Sequence, residues 1–473
     1  MTGPSTIRGP LRVHPTNPRY FTDDGERVVY LTGSHTWANL QDIGLPGGPP
    51  FPYREYLDFM EAYGHNFMRL WMFEQPERAS WTEEPIIFDP LPWQRTGPGL
   101  AVRGKPRFDL DTWNEDYFRR LRERTVAAAE RGIYVAIMLF QGWSLHKVKS
   151  APYGDPWPVH PFNAANNING VDVPYTAVDD DENPCLHSLL NPDVLARQEA
   201  YVRHVIDTVN DLGNVLYEII NEGGSTAWQY HMIDYIHEYE RTLPGQHPVG
   251  MTHRIDPRQR NADLLASPAD WISPANEPQG HHVPGAVLME DYQNDPPAAD
   301  GRKVVLLDTD HLWGHGGNPY WVWKSFCRGH NPIFMDPWWP LYINSDPAYT
   351  PWTFVGGISK DQHDYPDWEP TRRAMGDTRR YAERMNLAAM TPRPTLASTG
   401  YCLAHPGHEY LIYLPQGGSV TINLCEAVGR FAVEWYLPGP NRTLSGAYPL
   451  EGGDYVVTTA PYTGDAVLYL KKM

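Results

Sequence analysis

The chain has 473 residues, more than one ordinary domain needs, so a large domain with a smaller companion is the natural expectation. Hydrophobic residues make up 41% of the chain and charged residues 20%, which excludes a disordered protein. The net charge of −18 argues against a nucleic-acid backbone or an anionic membrane as the main partner.

Four cysteines, at positions 185, 327, 402 and 425, are too few and too scattered for a disulfide framework. Cys402 and Cys425 lie in one C-terminal region and could pair, although reduced thiols are the expected state. The N-terminal segment lacks a basic stretch followed by an apolar one, so a cytoplasmic location is expected unless a leader has been removed. The longest apolar run, residues 133–140, is too short to cross a bilayer.

From residue 28 to about 340, short apolar runs alternate with longer amphipathic stretches, as strands alternate with helices. The DDG turn at residues 23–25 predicts a small hairpin before the first strand. The predicted strands are Val28–Thr32, Asn66–Met72, Tyr134–Phe140, Val215–Ile220, Pro248–Thr252, Trp271–Ser273, Val304–Leu307 and Ile333–Met335. The predicted helices include Thr112–Glu130, with Asp111 as N-cap, Pro192–Leu212 and Thr371–Asn386.

Eight strands with interposed helices predict an α/β fold, the (β/α)8 TIM barrel, preceded by the N-terminal hairpin and extending over residues 1–390. A doubly wound open sheet is the alternative, but the GSHTW run after the first strand is not the GxGxxG of dinucleotide-binding folds. The sixth strand is the weakest of the eight. From Pro394 onward, short alternating strands separated by turns predict an antiparallel β-sandwich domain over residues 391–473.

Two long segments follow predicted strands 2 and 3. Residues 75–110 and 141–191 are rich in Pro, Trp, Asn and Asp, and both begin at the C-terminal end of a strand. Barrel enzymes build their sites from the loops at these strand ends. Because long aromatic loops are more often functional than structureless, these two segments are expected to frame a ligand site.

The strongest chemical signal is the run Tyr-Glu-Ile-Ile-Asn-Glu-Gly at residues 217–223. Here Asn221 and Glu222 end an apolar strand and precede a glycine turn, so Glu222 would lie at the mouth of the barrel. A carboxylic acid in that position can act as a general acid when its surroundings raise its pKa. A helix-cap carboxylate at a strand-to-helix turn is the structural alternative.

Glycoside hydrolysis by two carboxylates needs a second acid across the scissile bond. Strand 7 ends in Leu-Asp-Thr-Asp-His, residues 307–311, and supplies Asp308 and Asp310. The two side chains would point the same way if the strand extended through them. We expect Asp310 rather than Asp308 to face the substrate, while capping of the next segment is the alternative for both.

A strand-4 Asn-Glu pair with a strand-7 carboxylate resembles the clan A glycoside hydrolases. Several stretches narrow the resemblance to apiosidase-like glycosidases that carry a C-terminal β domain of the type named collagen-binding. These stretches are Arg19–Trp37, Phe108–Leu110, Trp113–Tyr117, Ala127–Val135, Asn214–Gly223, Gly407–Gln416 and Glu434–Tyr436. The resemblance covers nearly the whole chain.

The resemblance implies that Glu222 is the acid/base and that Asn221 is its substrate-binding neighbour. It also implies that Asp310 is the nucleophile, although such families more often place Glu there after a Val-Leu-Asp-Gly-like run. Because Asp is one methylene shorter, the carboxylate separation decides between retention and inversion; retention is expected. In the clan an Arg at the position of Arg69 supports the nucleophile, and a cation there would lower the carboxylate's pKa. A structural ion pair is the alternative for Arg69.

Other polar and aromatic side chains follow the predicted strands and could bond sugar hydroxyls or stack on a sugar ring. They are His35, Trp37, Gln141, Trp143, His253, Arg254, Asp308, His311, Trp338 and Trp339. A histidine at a strand end is often structural, and tryptophan is as often simply packed.

Composition and motifs together predict a glycosidase without a cofactor or bound metal, acting on a plant or microbial glycan. The sugar, its linkage, the mode of attack and the oligomeric state are left open. One alternative is an inactive barrel that only binds carbohydrate. Another is a metal-dependent hydrolase using some of the 19 histidines, including His281, His282, His311 and His315. No HExxH motif supports the metal reading.

Overall fold

The computed structural model describes residues 7–79, 82–146, 155–173, 185–255, 258–277, 288–314, 316–336, 338 and 368–473. Eight parallel strands form one sheet in the order β1-β8-β7-β6-β5-β4-β3-β2. The strands are β1 (Gly33–His35), β2 (Phe67–Leu70), β3 (Tyr134–Gln141), β4 (Val215–Asn221), β5 (Val249–Thr252), β6 (Trp271–Ser273), β7 (Val304–Asp308) and β8 (Asn331–Met335). The predicted TIM barrel is confirmed, with the weak sixth strand in its predicted place.

The sheet closes where β1 and β2 lie side by side, and Asn66 makes the junction. Its backbone N–H donates to the carbonyl of Thr32 (3.0 Å), and its side-chain oxygen accepts from the Thr32 N–H (3.0 Å). Its amide also donates to the carbonyl of Tyr30 (2.8 Å). One asparagine thus satisfies the backbone groups that two short edge strands leave unpaired.

Helices follow most of the barrel strands and cover the outside of the sheet. They are α1 (Tyr53–Ala62), α2 (Glu115–Ala129), α3 (Pro192–Val209), α4 (Thr226–Glu240), α5 (Asn261–Ala266), α6 (Pro319–Cys327) and α7 (Glu369–Arg384), with a short turn of helix at Trp143–His146. Asn114, not Asp111, caps α2 by accepting from the N–H of Asp116. The prediction was wrong because Thr112 and Trp113 belong to a preceding strand, Pro106–Trp113.

The N-terminal segment closes the bottom of the barrel. Arg12–Val13 pairs antiparallel with Phe21–Thr22, and a bridge from Phe21 to Val29 extends the hairpin that the sequence predicts. The first barrel strand begins only at Gly33, five residues after the predicted start, because the 28–32 segment serves this hairpin and the closure. Leu11 and Phe21 pack with Phe67, Trp271 and other residues from the beginnings of the strands in one buried cluster.

The segment after β2 is not a plain loop. It contains the antiparallel strands Glu77–Ala79 and Thr82–Asp89, which pair with each other, while Asp42–Gly44 pairs with the second of them. A further hairpin joins Trp93–Leu100 to Pro106–Trp113. These strands explain why a long Pro- and Trp-rich stretch remains ordered over the described residues.

The C-terminal region forms two antiparallel sheets, as the sequence predicts for a β-sandwich. The strands are β9 (Thr391–Pro392), β10 (Cys402–His405), β11 (Glu409–Leu414), β12 (Ser419–Asn423), β13 (Arg430–Leu437), β14 (Arg442–Ser445), β15 (Leu450–Glu451), β16 (Tyr455–Thr459) and β17 (Ala466–Lys472). One sheet has the order β9-β10-β11-β17-β13-β14, with β15 beside β13, and the other pairs β12 with β16.

Aromatic and charged side chains join the β-sandwich to α6 and α7 of the barrel. The ring of Trp323 stacks on Tyr413 (6.1 Å between centroids). The guanidinium of Arg384 donates to both carboxylate oxygens of Glu434 (2.8 Å each), and Tyr381 donates to one of them (2.8 Å). The two parts therefore share a packed and hydrogen-bonded interface.

The cysteines do not pair among the described side chains: Cys327 and Cys402 are buried thiols and Cys425 is exposed. Within the described part of the chain, no helix has both the length and the apolar character needed to cross a membrane.

Candidate active site

The barrel interior holds a charged network near the C-terminal ends of the strands, and Arg69 of β2 is at its centre. Its Nε and Nη2 donate to the two carboxylate oxygens of Glu218 (2.7 and 2.5 Å). Its Nη1 donates to Asp308 (2.8 Å) and Asp310 (3.1 Å), and Nη2 also reaches Oδ1 of Asn221 (2.7 Å). Because arginine stays charged in proteins, this buried guanidinium is the fixed positive centre of the site.

Glu218 is a member of this network that the sequence reasoning missed. It lies inside β4 and is fully buried, and its side chain meets that of Arg69 because inward-facing residues of alternate strands share a layer in such barrels. A signal was present, since a carboxylate within an apolar strand needs a buried partner, and Arg69 is a cation in an equally apolar strand.

Asp308 ends β7 and is held on both carboxylate oxygens. Oδ2 accepts from Arg69, while Oδ1 accepts from Nε2 of His35 (2.9 Å) and from the N–H of Asp310 (2.9 Å). The indole N–H of Trp71 donates to Nδ1 of His35 (3.0 Å), so Nδ1 is the accepting nitrogen of this ring and Nε2 is the one that faces Asp308. Burial alone would raise the pKa of Asp308, but His35 and Arg69 outweigh it and hold this pKa below the ordinary value.

The strand does not extend from Asp308 to Asp310, which corrects the sequence expectation. The chain turns at Asp308 into a short helical turn, Thr309–His311, and the Asp308 side chain caps this turn. Asp310 therefore lies beside Glu222, and one of its carboxylate oxygens accepts a hydrogen bond from Arg69. Both carboxylate oxygens of Asp308, in contrast, are hydrogen-bonded within the protein. The geometry favours Asp310 over Asp308 as the carboxylate that can meet a ligand.

Glu222 follows the last residue of β4 in an unusual backbone conformation. Its φ of 47° lies in the left-handed region, which non-glycine residues seldom adopt outside functional or strained sites. Gly142, just after β3, lies so close that a Cβ on it would be 2.4 Å from Cα of Gly223. The N–H of Gly142 also donates to the carbonyl of Asn221 (2.9 Å), so the end of β3 fixes the turn that carries Glu222.

The structure brings Glu222 and Asp310 together. One carboxylate oxygen of each and one ring nitrogen of His311 all lie within 4.8 Å of one another. A single guanidinium thus serves three carboxylates, Glu218, Asp308 and Asp310, with Glu222 as a fourth nearby. Burial and the charge of Glu222 raise the pKa of Asp310 well above the ordinary value, although Arg69 opposes them. Asp310 therefore keeps its proton to a higher pH than a lone carboxylate would, and Glu222 is the neighbouring carboxylate whose charge has this effect.

Asn221 and Gln141 are oriented by the same network. Because a guanidinium can only donate, the side-chain oxygen of Asn221 faces Arg69, and its amide nitrogen faces Oε1 of Gln141 (3.3 Å). That oxygen of Gln141 also accepts the N–H of Trp143 (3.0 Å). Among the described residues the Asn221 amide donates only one of its two N–H groups, so the second can donate to a bound hydroxyl.

The three predicted histidines are engaged by neighbouring groups of the protein. His311 has Nδ1 at 2.9 Å from the hydroxyl of Ser273 and Nε2 at 3.4 Å from Oδ1 of Asn221, and burial lowers its pKa well below the ordinary value. His253 uses Nε2 and Nδ1 within its own loop, on the carbonyl of Gln259 and the N–H of Ile255. His35 serves Asp308 as described. These rings support the site, so the sequence-based expectation that they bond hydroxyls is not favoured by the geometry.

Three of the four predicted tryptophans lie among the described residues, and their surroundings differ. Trp37 is half-buried and packs edge-on to Trp71, whose own ring lies under the guanidinium of Arg69 (4.6 Å). Trp143 is half-buried at the start of its short helix beside Gln141. Trp338 instead packs on the rings of Tyr56 and Phe59 of α1. Trp37 and Trp143 remain the better candidates for stacking on a sugar.

Among the described residues, Glu222, Asp310 and His311 are the group whose spacing could suit a metal ion. Both nitrogens of His311 already face polar partners, and Asp310 already has Arg69 as its cation, so the group is poorly prepared for a metal. His281, His282 and His315, which the metal alternative also invoked, lie outside the described residues, as does Trp339.

The solved structures that share this fold include glycoside hydrolases. A family model described as a domain of unknown function, DUF6298, matches residues 79–259, a stretch that includes Glu222. A solved structure named as a glycoside hydrolase aligns with a TM-score of 0.64 at 13% identity, over 99% of this chain and 98% of its own. A family 5 glycoside hydrolase from Bacteroides vulgatus aligns with a TM-score of 0.61 at 13% identity, over 99% and 95% of the two chains. The similarity shows a shared barrel and sandwich fold. No curated protein matches the sequence significantly.

Proposed function

We propose that this protein is a glycoside hydrolase that uses Glu222 and Asp310 as its two catalytic carboxylates. The observation that carries the proposal is their approach, with carboxylate oxygens within 4.8 Å of each other at the C-terminal mouth of the barrel. Two carboxylates with one shared proton are the equipment that glycoside hydrolysis requires. The overall similarity to solved glycoside hydrolases supports the proposal.

Each carboxylate has a role that its surroundings favour. Asp310 attacks as the anion, which Arg69 stabilises against burial and the charge of Glu222, so the reactive form of the pair carries its one proton on Glu222. Glu222 donates that proton to the glycosidic oxygen while Asp310 attacks the anomeric carbon, so the bond to the leaving group breaks as an ester to Asp310 forms. A water molecule, deprotonated by Glu222, then attacks the same carbon and releases the sugar and the Asp310 carboxylate.

The separation of the carboxylates supports a retaining mechanism. Retaining enzymes keep the two groups about 5–5.5 Å apart, whereas inverting enzymes need about 6.5–9.5 Å to admit a water molecule. The oxygens of Glu222 and Asp310 lie within 4.8 Å. The turn after Asp308 supports an aspartate in this role, because it places Asp310 beside Glu222 although its side chain is shorter than the glutamate of the families that the sequence resembles.

We further place the protein with the apiosidase-like glycosidases and propose a plant or microbial glycan, or an oligosaccharide from one, as its substrate. The motifs in the sequence support this narrower assignment.

We propose that residues 391–473 form an accessory domain beside a catalytic domain of residues 1–390, and that the protein acts in the cytoplasm unless a leader has been removed. The identity of the sugar is left to experiment.

The test of the proposed function is a panel of aryl glycosides, pyranosides and furanosides of both anomers, with wild-type protein and Glu222→Gln. We expect hydrolysis of at least one member by the wild type. Glu222→Gln should lower kcat by about 10²–10⁴-fold for a poor leaving group, because a general acid contributes about that much. The loss in kcat/KM, which reports the first step, should be far smaller for a dinitrophenyl leaving group, which needs no proton; kcat should still fall, because Glu222 also deprotonates the water of the second step.

Two other outcomes are distinguishable in the same panel. Binding of glycans without hydrolysis of any of them by the wild type would support an inactive carbohydrate-binding barrel instead. Activity that disappears with a chelator and returns with a divalent metal would support a metal-dependent hydrolase. We expect the chelator to leave the rate unchanged, because Arg69 already neutralises Asp310.

The pH dependence of kcat/KM should follow the shared proton. The active state is singly protonated, so activity falls at low pH when Asp310 is also protonated and at high pH when Glu222 loses the shared proton. Because burial and mutual repulsion raise the pKa at which the pair loses that proton, the alkaline limb should lie well above the ordinary carboxyl range of about 4. A profile whose alkaline limb lies at an ordinary carboxyl pKa would contradict the shared proton.

A further inference from the structure

A third buried carboxylate, Glu74, lies beside the site but does not belong to the Arg69 network. It follows β2 in the 71–75 segment and is 1% exposed. Its Oε2 accepts from the backbone N–H of Gln141 (3.0 Å) and from Nε2 of His187 (3.0 Å). One carboxylate oxygen therefore ties the segment after β2 to the end of β3 and to the residues that precede α3.

Both partners of Glu74 lead to the turn that carries Glu222. On one side, Gln141 accepts from the amide of Asn221, and the adjacent Gly142 donates to the Asn221 carbonyl. These contacts fix the residue immediately before Glu222. The backbone of Gln141 is itself fixed by its hydrogen bond to Glu74.

On the other side, His187 holds the residues that follow Glu222. Its carbonyl accepts the N–H of Ser225 (3.0 Å), and its Cβ lies 3.5 Å from where a Cβ on Gly224 would be. Its ring packs against Phe140 and Trp228, with centroids 5.8 and 5.3 Å away. His187 thus packs against Gly224 and holds Ser225, the residues that follow Glu222 in the turn.

We infer that Glu74 is a positioning residue for the acid/base: through Gln141 and His187 it holds both flanks of the Glu222 turn. The inference rests on the proposed function. Glu222 has a left-handed backbone that the sequence would not adopt by itself, so the surrounding contacts must maintain it. Burial would raise the pKa of Glu74, but His187 and the hydrogen bonds hold it below the ordinary value, so Glu74 is an ionised anchor at neutral pH.

The chain offers a matched control in Glu240. This residue is also 1% exposed. Its carboxylate is hydrogen-bonded to Nδ1 of His247 (2.7 Å) and accepts the backbone N–H of the same residue (2.6 Å). Glu240 ends α4 and His247 precedes β5, so the pair lies at the opposite end of the barrel from Glu222. A purely structural role would make the two glutamates equivalent.

The experiment compares Glu74→Met and Glu240→Met, which remove the acceptor oxygens while keeping side-chain length, with the conservative variants Glu74→Gln and Glu240→Gln. Kinetics are measured on two aryl glycosides that differ only in their leaving group. Glu74→Met should lower kcat about 10- to 100-fold for the poor leaving group with KM unchanged, since a displaced acid costs about that much. The loss in kcat/KM, which reports the first step alone, should nearly vanish for a dinitrophenyl leaving group, and Glu74→Gln should restore most of the rate.

Glu240→Met should lower the melting temperature without changing kcat or its leaving-group dependence. Two results would overturn the inference while leaving the proposed function intact. One is an equal kcat/KM for the folded Glu74→Met and Glu240→Met proteins on both substrates. The other is a loss of kcat/KM in Glu74→Met that is equal for both leaving groups. If Glu74→Met does not fold, His187→Phe removes the donor but keeps a ring against Phe140 and Trp228. His187→Phe should show the same leaving-group dependence as expected for Glu74→Met. A His187→Phe protein without that dependence would also overturn the inference. A wild type that hydrolyses no glycoside would instead refute the proposed function.

Discussion

Replacing Asp310 by Asn is expected to lower kcat by on the order of 10⁵-fold, because Asn cannot form the ester through which the proposed reaction proceeds. The variant keeps the size of the side chain and a hydrogen-bond acceptor for Arg69, so the fold and sugar binding should persist. Initial rates on the best substrate of the panel, together with binding of the product sugar by calorimetry, check both expectations. A residual rate close to that of the wild type would remove Asp310 from the mechanism.

The same variant should stabilise the protein at neutral pH. Burial and Glu222 raise the pKa of Asp310 in the folded state above its unfolded value, so its ionisation lowers the free energy of unfolding as pH rises. Asn carries no charge, so Asp310→Asn should gain stability relative to the wild type as pH rises. Urea unfolding over a range of pH measures this difference, and a destabilised variant at neutral pH would contradict it.

Asp308→Asn, two residues away, is the matched control, and its effect on stability should change with pH in the opposite direction. His35 and Arg69 lower the pKa of Asp308 in the folded state, so its charge stabilises the protein above the unfolded pKa and this contribution is lost as pH falls. Asp308→Asn should therefore be less stable than the wild type at neutral pH, and the deficit should shrink in acid. Opposite pH trends would show that the fold favours the charged form of Asp308 and the protonated form of Asp310.

Replacing Arg69 by Met should cost about 3–5 kcal/mol of unfolding free energy at neutral pH, because it leaves buried carboxylates without their cation. Glu218, Asp308 and Asp310 all lose a hydrogen bond in this variant. Hydrolysis should also be lost, since the proton would no longer be directed to Glu222. The stability deficit should shrink as pH falls, because the orphaned carboxylates then take up protons.

The control for this variant is Arg122→Met. Arg122 makes two hydrogen bonds of 2.7 Å to the carboxylate of Asp211, but both side chains are largely exposed. Exposed ion pairs contribute about 0–1 kcal/mol, so this variant should lose little stability and no activity. A deficit in Arg69→Met no larger than in Arg122→Met, or one that does not change with pH, would contradict the central role of Arg69.

The barrel could be predicted because each of its strands and helices is indicated by residues that are close together in the sequence. Each parallel strand is an apolar run such as Tyr134–Phe140, and the amphipathic stretches between the runs have helical spacing, so the order of elements can be read along the chain. The errors arose where neighbouring elements compete for a residue. Asp111 is a plausible helix cap by sequence, but a hairpin partner extends the preceding strand past it.

The positions of the two proposed catalytic carboxylates could be predicted for a related reason. Glu222 and Asp310 each follow an apolar strand, and the C-terminal ends of parallel strands meet at one face of a barrel. Their neighbours Asn221 and Arg69 could be placed at the same face by the same argument.

The sequence by itself determined the (β/α)8 barrel, the C-terminal β-sandwich and the strand ends that carry the candidate carboxylates. Only the tertiary structure favours Asp310 over Asp308 as the carboxylate that can meet a ligand, since this depends on a helical turn and on Arg69, 239 residues from Asp308. It also revealed Glu218 as a partner of Arg69 and Glu74 as a partner of His187. The physical reason is that a buried charge is stabilised by groups distant along the chain, and such pairing leaves no periodic pattern in the sequence.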